Sequence, residues 1–317
     1  MSFQPWHDDA DLPICNACMT QYPAGPRTKC PVCLDPRQFV PPSGQAWTSL
    51  RRLAEEGHVN KIVPDEQDER IAFIQTEPST GIGQTPILIK TSRATYMWDC
   101  CAFLSENLFH ELRALDPPLK AIAISHPHFY STSLTWARCL RVPLLIAKAD
   151  AHWYQRATDV KPGEIEWFRN EAPLEDSVNV IQCGGHFPGS SVLYWDRSLE
   201  PTFESERHLG TGIILCADTA MVQPTQKGFT FQWSVPNMIP LNPHEIKGIC
   251  DRLQSVSFDQ ATSTWPNRFI RHNAREILLN SMQKQLHHMG IVQDGATFRI
   301  GSKSEMTHER KYHEEQQ

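Results

Sequence analysis

The chain reads as an α/β protein preceded by a small metal-bound module. Three observations predict this. Two Cys-x-x-Cys pairs open the sequence. Short apolar runs then alternate with amphipathic stretches. Several of those runs end abruptly in a histidine or an aspartate.

The first pair is Cys15-Asn-Ala-Cys18 and the second is Cys30-Pro-Val-Cys33, with 11 residues between them. Each pair places two thiolates on one tight turn. Two such turns facing each other make a closed tetrahedral site. Pro23, Gly25 and Pro26 make the intervening stretch a loop or short hairpin. A unit this small cannot bury enough apolar area to fold alone, and the metal supplies the missing free energy. The expectation is a zinc ribbon over residues 1–45 holding a structural zinc, although rubredoxin-type iron uses the same ligands. Basic residues nearby are few (Arg27, Lys29, Arg37), which favours docking on the main domain over nucleic-acid binding. Pro41-Pro42-Ser43-Gly44 marks the boundary, and Trp47 onward signals a short helix with Thr48 or Ser49 as its cap.

Residues 46–295 form the main domain. Strands are predicted at Arg70–Thr76, Gln84–Thr91 and Ala94–Asp99. A helix follows over Leu104–Leu115, closed by Pro117-Pro118. The run Ala121-Ile-Ala-Ile then enters Ser125-His126-Pro127-His128. Alternation along a strand points residues 126 and 128 the same way, so two imidazoles meet just past a strand end. Ser133–Leu140 is predicted as helix. Val142–Ala149, Glu164–Phe168 and Ser177–Cys183 follow as strands, and the last of these leads into Gly184-Gly185-His186. Ser190–Trp195 is another strand. Gly212-Ile-Ile-Leu-Cys-Ala enters Asp218. Three separate strand ends therefore deliver His126 with His128, His186 and Asp218. Converged, they make a ligand set suited to zinc, iron or manganese. After Gln283 the helical pattern fades, and residues 296–317 read as a polar, mixed-charge tail.

Composition narrows the function classes. The net charge of −6 argues against a general nucleic-acid binder. No apolar run approaches the length of a membrane span, and the acidic start lacks a secretory pattern. The expectation is a cytoplasmic protein in which the 10 cysteines serve as thiols and metal ligands. The 9 tryptophans supply large buried or pocket-lining surfaces. The expected partner is a small-molecule substrate; the oligomeric state stays open.

These strand ends resemble the metallo-β-lactamase superfamily over roughly residues 65–275. His126-x-His128 resembles the first half of its His-x-His-x-Asp-His motif. Gly185-His186 resembles the single-histidine motif, Ala217-Asp218-Thr219 the Gly-Asp-Thr motif, and Met97-Trp98-Asp99 an early strand end. The resemblance implies a four-layer αββα sandwich with the metal at one edge. A more specific resemblance, to members with a four-cysteine ribbon before such a domain, rests on Cys30–Cys33, Arg37–Val40, Gly44–Thr48, Ser125–Tyr130, Gly184–Ser190 and Val235–Leu241. Those members are uncharacterised.

Where the superfamily motif has Asp-His, this chain has Tyr130-Ser131. Those two positions normally build the second metal site, so the resemblance implies a single zinc or iron. The last histidine of the superfamily lacks a clear counterpart; His244, at a helix start, and His272 are the nearby histidines. The implied activity is a mononuclear hydrolase that opens a lactam, lactone, ester or thioester through a metal-bound water. Asp218 is the candidate base, and Tyr130 either a hydrogen-bond donor or an aromatic plug of the second site. Two alternatives stand beside it. One is a mononuclear-iron oxidoreductase resembling a sulfur dioxygenase, and the other is a catalytically degraded binding protein.

Overall fold

The computed structural model describes residues 4–202, 204, 207–265, 267–294 and 297–302. Most of the predicted polar tail thus lies outside the described residues.

Two sheets form the centre. The first has seven strands in the order Val59–Pro64, Ile71–Glu77, Ile87–Lys90, Thr95–Trp98, Leu119–Ala123, Leu144–Ala147, Ile165–Phe168. Its first four strands are antiparallel and the last three add in parallel. The second has six strands in the order Glu171–Glu175, Val178–Gln182, Ser191–Asp196, Gly212–Cys216, Gln260–Ser263, Phe269–Ile270. Gly212–Cys216 runs parallel to Gln260–Ser263, and the other pairs are antiparallel.

Side-chain alternation decides what each face packs on. Ala121 and Ala123 point between the sheets, where they meet Leu193, Trp195, Ile213 and Leu215 of the second sheet. Ile122 points outward onto Leu108, Leu112, Leu134 and Leu140 of the helices Glu106–Arg113 and Ser133–Leu140. The second sheet turns Val192, Ile214 and Ala261 outward onto Ile246, Ile249 and Leu278 of the helices Pro243–Arg252 and Ala274–His288. The layers are therefore helix, sheet, sheet, helix, as expected. Trp98 and Trp195, both fully buried between the sheets, each contribute on the order of 4 kcal/mol at about 25 cal/mol per Å².

The helix caps follow the sequence. Ser49 accepts from Arg52 N, Ser105 from Leu108 N, and Asn242 from Glu245 N. His244 sits behind the Asn242 cap and packs edge-on against Phe298 at 5.1 Å. Three local expectations change. The last helix runs on to His288 because Leu286 is buried against the second sheet's helical layer. Thr297–Ile300 is a strand, paired with Ile291–Asp294. His128 lies in a 3-10 turn, Pro127–Phe129, and not on the strand. Proline at the first position of that turn fixes its entry, so the turn, and not strand alternation, brings His126 and His128 together.

The N-terminal module closes on itself through Ile14–Cys15 paired with Trp47–Thr48. It is bound to the sandwich by a buried network. The Arg156 guanidinium donates to Asp9 (2.9 and 3.1 Å), to Gln21 Oε1 (2.7 Å) and to Thr135 Oγ1 (3.0 Å). Trp6 Nε1 donates to Leu104 O at 2.7 Å. Among the described residues, no helix is long and apolar enough to cross a membrane.

Candidate metal centres

The four cysteines converge. Cys15 Sγ lies 3.6 Å from Cys33 Sγ, and Cys18 Sγ lies 3.6 Å from Cys30 Sγ. A tetrahedron with metal–sulfur bonds of about 2.3 Å has edges of about 3.8 Å, so this spacing fits one ion. The surrounding donors fit thiolates. Tyr22 OH donates to Cys30 Sγ at 3.0 Å, and Gln45 Nε2 donates to Cys15 Sγ at 3.1 Å. Thiol–thiol hydrogen bonds hold Cys15 far below the usual thiol range and push Cys18 and Cys33 above it. Four sulfurs this close cannot all carry charge without a cation between them.

The second cluster lies where strands of both sheets end. His126 follows Leu119–Ala123, and Asp218 follows Gly212–Cys216. His186 comes from the turn after Val178–Gln182. That turn holds Gly184 and Gly185 at φ +75° and +86°, and a Cβ on Gly185 would come within 2.7 Å of Ile249 Cδ1. Only glycine fits there. The donor atoms of His126, His128, His186 and Asp218 all lie within 4.8 Å of one another. His186 Nε2 is 3.1 Å from His128 Nδ1 and 3.5 Å from Asp218 Oδ2. His126 Nε2 is 3.6 Å from the same oxygen. Edges of about 3.4 Å are those of a tetrahedron around a metal bound by nitrogen and oxygen at about 2.1 Å.

The outer contacts orient these ligands. His126 Nδ1 lies 2.8 Å from Ser125 Oγ, and His186 Nδ1 donates to Gln232 O at 2.9 Å. Both leave Nε2 free for a metal. Ser125 N in turn donates to Asp99 Oδ1 at 2.7 Å. Burial holds His128 far below the usual imidazole range and brings His186 down to about 4, so both stay neutral, as ligands must. Burial pushes the Asp218 carboxyl up, but the His126 and His186 rings that face it at 3.6 and 3.5 Å outweigh burial and hold it below the ordinary carboxylate range. His126 Nε2, His128 Nε2 and Asp218 Oδ1 are buried without a hydrogen-bond partner. His128 turns Nδ1 toward His186 Nε2, so His126 Nε2 and Asp218 Oδ1 are the partnerless atoms that, in a cluster of this composition, fit a divalent metal.

Tyr130 goes elsewhere. Its hydroxyl donates to the backbone carbonyl of Asp150 at 3.2 Å, and its ring packs against Tyr154. Burial raises its phenol well above the usual range. The structure therefore places it as a buried aromatic, and not as a donor to the cluster. Ser131 accepts Gln21 N on its carbonyl at 3.1 Å and donates from Oγ to Met19 O at 3.4 Å. The ribbon thus docks on the stretch that follows His128.

Three nearby residues were not singled out by the sequence. Asp150 has a raised carboxyl, about 6, because it is buried; Oδ2 accepts Gly189 N at 3.0 Å and Oδ1 has no partner. Its signal was available, because it closes the apolar run Leu144–Ala147 as Asp218 closes its own. Arg37 lies over the Phe187 ring at 4.1 Å, and Gln38 Nε2 is 3.3 Å from His128 Nδ1. Both lie in the Arg37–Val40 stretch of the resemblance, but no spacing rule places either one at the centre.

No family model matches the chain. A curated relative does. The chain is 31% identical over 271 residues to the uncharacterised protein YmaE of Bacillus subtilis (strain 168), covering 84% of this chain and 93% of that protein. The chain belongs to the YmaE family. Solved structures similar to it include VMB-1 (11% identity, TM-score 0.47, 73% of this chain and 98% of that one). A metallo-β-lactamase from Pontibacter korlensis matches at 10% identity and TM-score 0.48, covering 72% and 100%. A flavo di-iron protein variant from Thermotoga maritima matches at 12% and 0.46, covering 75% and 64%. The architecture itself is that of the metallo-β-lactamase fold: helices flank two stacked sheets, and histidine and aspartate donors gather at the strand ends. In this YmaE-family chain a four-cysteine ribbon is docked on that edge.

Proposed function

We propose that the protein is a metal-dependent hydrolase with one metal at the histidine centre. The observation that carries this reading is the convergence of three imidazoles and one carboxylate, with buried ligand atoms that lack a hydrogen-bond partner, where strands of both sheets end. A metal held there supplies Lewis acidity and lowers the pKa of water toward about 7. The substrate class is a small lactam, lactone, ester or thioester, whose carbonyl needs that activation.

The chain's own residues then divide the work. His126, His128, His186 and Asp218 Oδ2 hold the metal. Asp218 Oδ1, buried and without a partner, accepts a hydrogen bond from the attacking water and orients it. Asp150, with its carboxyl near 6 and one free oxygen, is better matched to take a proton near neutral pH than Asp218 is. Zinc and iron remain open at the histidine centre; zinc suits the four thiolates. A second reading has one specific observation behind it. The ligands are only 0–3% exposed, which favours a non-catalytic centre in a binding protein.

The test is hydrolysis of a lactone, thioester and lactam panel by metal-loaded protein, with metal content measured alongside. Loss of hydrolysis and of one metal in His128→Ala is the expected result. Hydrolysis that survives replacement of both His126 and His128 rejects this mechanism. Metal at the centre with no turnover of any of the panel favours the binding reading.

A further inference from the structure

The strap that covers the histidine centre comes from the ribbon's own exit segment. Asp35–Gln38 leaves the last ribbon cysteine and crosses to residues 232–237 of the sandwich, the strand Gln232–Ser234 and the loop that follows it. Ser234 Oγ donates to Arg37 O at 2.9 Å, and Asn237 Nδ2 donates to Pro36 O at 3.1 Å. The Arg37 guanidinium is held by Asp35 at 3.2 Å and lies over Phe187 at 4.1 Å and Trp233 at 5.4 Å. The same strand supplies Gln232 O, the acceptor that orients His186. The strap backbone is thus pinned at Pro36 and Arg37, and the next side chain along it is Gln38.

Gln38 ends 3.3 Å from His128 Nδ1, the nitrogen that faces His186 Nε2 at 3.1 Å. That separation equals the ligand–ligand edge of the centre, about 3.4 Å. An N–H of Gln38 can donate to Nδ1 only while that lone pair is free. Once Nδ1 binds a metal, the lone pair is taken. A half-turn of the carboxamide then presents its oxygen, a competent ligand for a divalent ion.

On the reading of these four residues as a metal centre, we propose that Gln38 is a further ligand of it, delivered by the ribbon strap. Its amide oxygen fills the position that a substrate or water would take. A neutral amide binds more weakly than an imidazole or a carboxylate, so this ligand is the exchangeable one. The 0–3% exposure of the other four ligands is then the closed state, and release of residues 35–38 opens the centre. The ribbon gates the site because Cys33 and Gln38 lie on one short segment.

The test loads full-length protein with Co²⁺ and compares wild type, Gln38→Ala, Gln38→Glu and His128→Ala. Subtracting the His128→Ala spectrum removes the thiolate bands of the ribbon. The main-chain carbonyls of Pro36 and Arg37 anchor the strap, so Gln38→Ala keeps the fold. It is expected to alter the visible bands of the histidine centre and to release that Co²⁺ to a chelator about 10-fold faster or more. Gln38→Glu, which keeps an oxygen ligand, should hold the ion at least as long as wild type. Identical bands and release rates in wild type and Gln38→Ala, with two ions bound in each, overturn the strap ligand and leave the centre intact. A wild type that binds one Co²⁺ only, with thiolate bands alone, overturns the metal-centre reading and the strap ligand with it.

Discussion

The two metal clusters of this chain lie close together yet are built on opposite principles. In the ribbon, the sulfurs carry their own donors: Tyr22 OH and the Gln45 amide each reach a sulfur at about 3 Å. Four ligands complete the coordination, and the apolar cluster around them is small: Tyr22 and Val32, with the partly buried Ala17, Val40, Trp47 and Trp153 packed on it. At the histidine centre the ligands stand on strand ends of a sandwich whose interior is filled with or without a metal. There buried polar atoms are left without a hydrogen-bond partner: His126 Nε2, His128 Nε2 and Asp218 Oδ1. One cluster makes a fold possible; the other uses a fold already made. Dependence should therefore run one way. The ribbon carries the strap to the histidine centre, but the centre carries nothing the ribbon needs.

The largest effect should come from breaking the ribbon. Cys30→Ser removes the sulfur that accepts from Tyr22 OH and from Cys33 N. A structural zinc in such a unit is worth about 10–16 kcal/mol of apparent binding free energy, which here is folding free energy. Loss of one metal, and rapid proteolysis within residues 14–48, is the expected outcome, while the sandwich still melts cooperatively. Metal at the histidine centre should also leave faster, since Gln38 is no longer delivered. The mirror experiment, His128→Ala, should lose one metal and keep residues 14–48 protected. Equal protection of the ribbon in both variants would show that the asymmetry is wrong.

How much of this was legible in sequence follows the same division. Cysteine spacing is local, so the ribbon cluster could be read from four residues. The histidine centre was legible because three apolar runs stop at a ligand, even though a turn at Pro127 and not strand alternation aims His128. Two of the four edge strands of the main sheets escaped notice for a physical reason. Val59–Pro64 and Glu171–Glu175 are sheet edges, largely exposed, and each contains a proline. An edge strand buries little and lacks the apolar alternation that marks a central one. Gln38 was invisible because its role depends on a contact across 90 residues, and no spacing rule reaches that far. The two readings of Tyr130 could not be separated in sequence for a related cause: its position in the motif is local, but its partner, the Asp150 carbonyl, is set by the fold.

A smaller effect should come from loosening the dock without touching either metal. Arg156 is buried and serves Asp9, Gln21 and Thr135 at once. Arg156→Ala leaves the Asp9 carboxylate without its cation, and breaking a buried pair this way costs about 3–5 kcal/mol. Both metals should remain bound in native conditions, with the ribbon released at lower denaturant than the sandwich. A single, unshifted denaturant midpoint for the whole chain would deny Arg156 any part in the dock. A tighter point of contact offers a second check, since Gly81 (φ +52°) has no room for a Cβ, which would come within 2.6 Å of Met19 Cγ. Gly81→Ala should weaken the dock by about 1–3 kcal/mol.

The smallest and most specific effect is on pH. Burial pushes the Asp9 carboxyl up, but the hydrogen bonds from Arg156 and Thr135 and the charge of Arg156 outweigh it, so the folded protein holds Asp9 below its ordinary value. A carboxylate with a depressed folded pKa contributes stability that is fully present above the unfolded pKa, about 3.9, and is lost as pH falls through the folded value. Acid also protonates the cysteines and drives out the ribbon metal, so acid sensitivity alone proves nothing. The difference between wild type and Asp9→Asn isolates the one carboxylate. Asp9→Asn should be the less stable of the two at pH 7, measured by urea unfolding with metal in excess. That gap should stay constant down to about pH 5 and shrink below about pH 4 as wild-type Asp9 takes up its proton. A gap that widens in acid, or that already closes between pH 7 and pH 5, would mean that the Asp9–Arg156 pair is not what holds the ribbon to the sandwich.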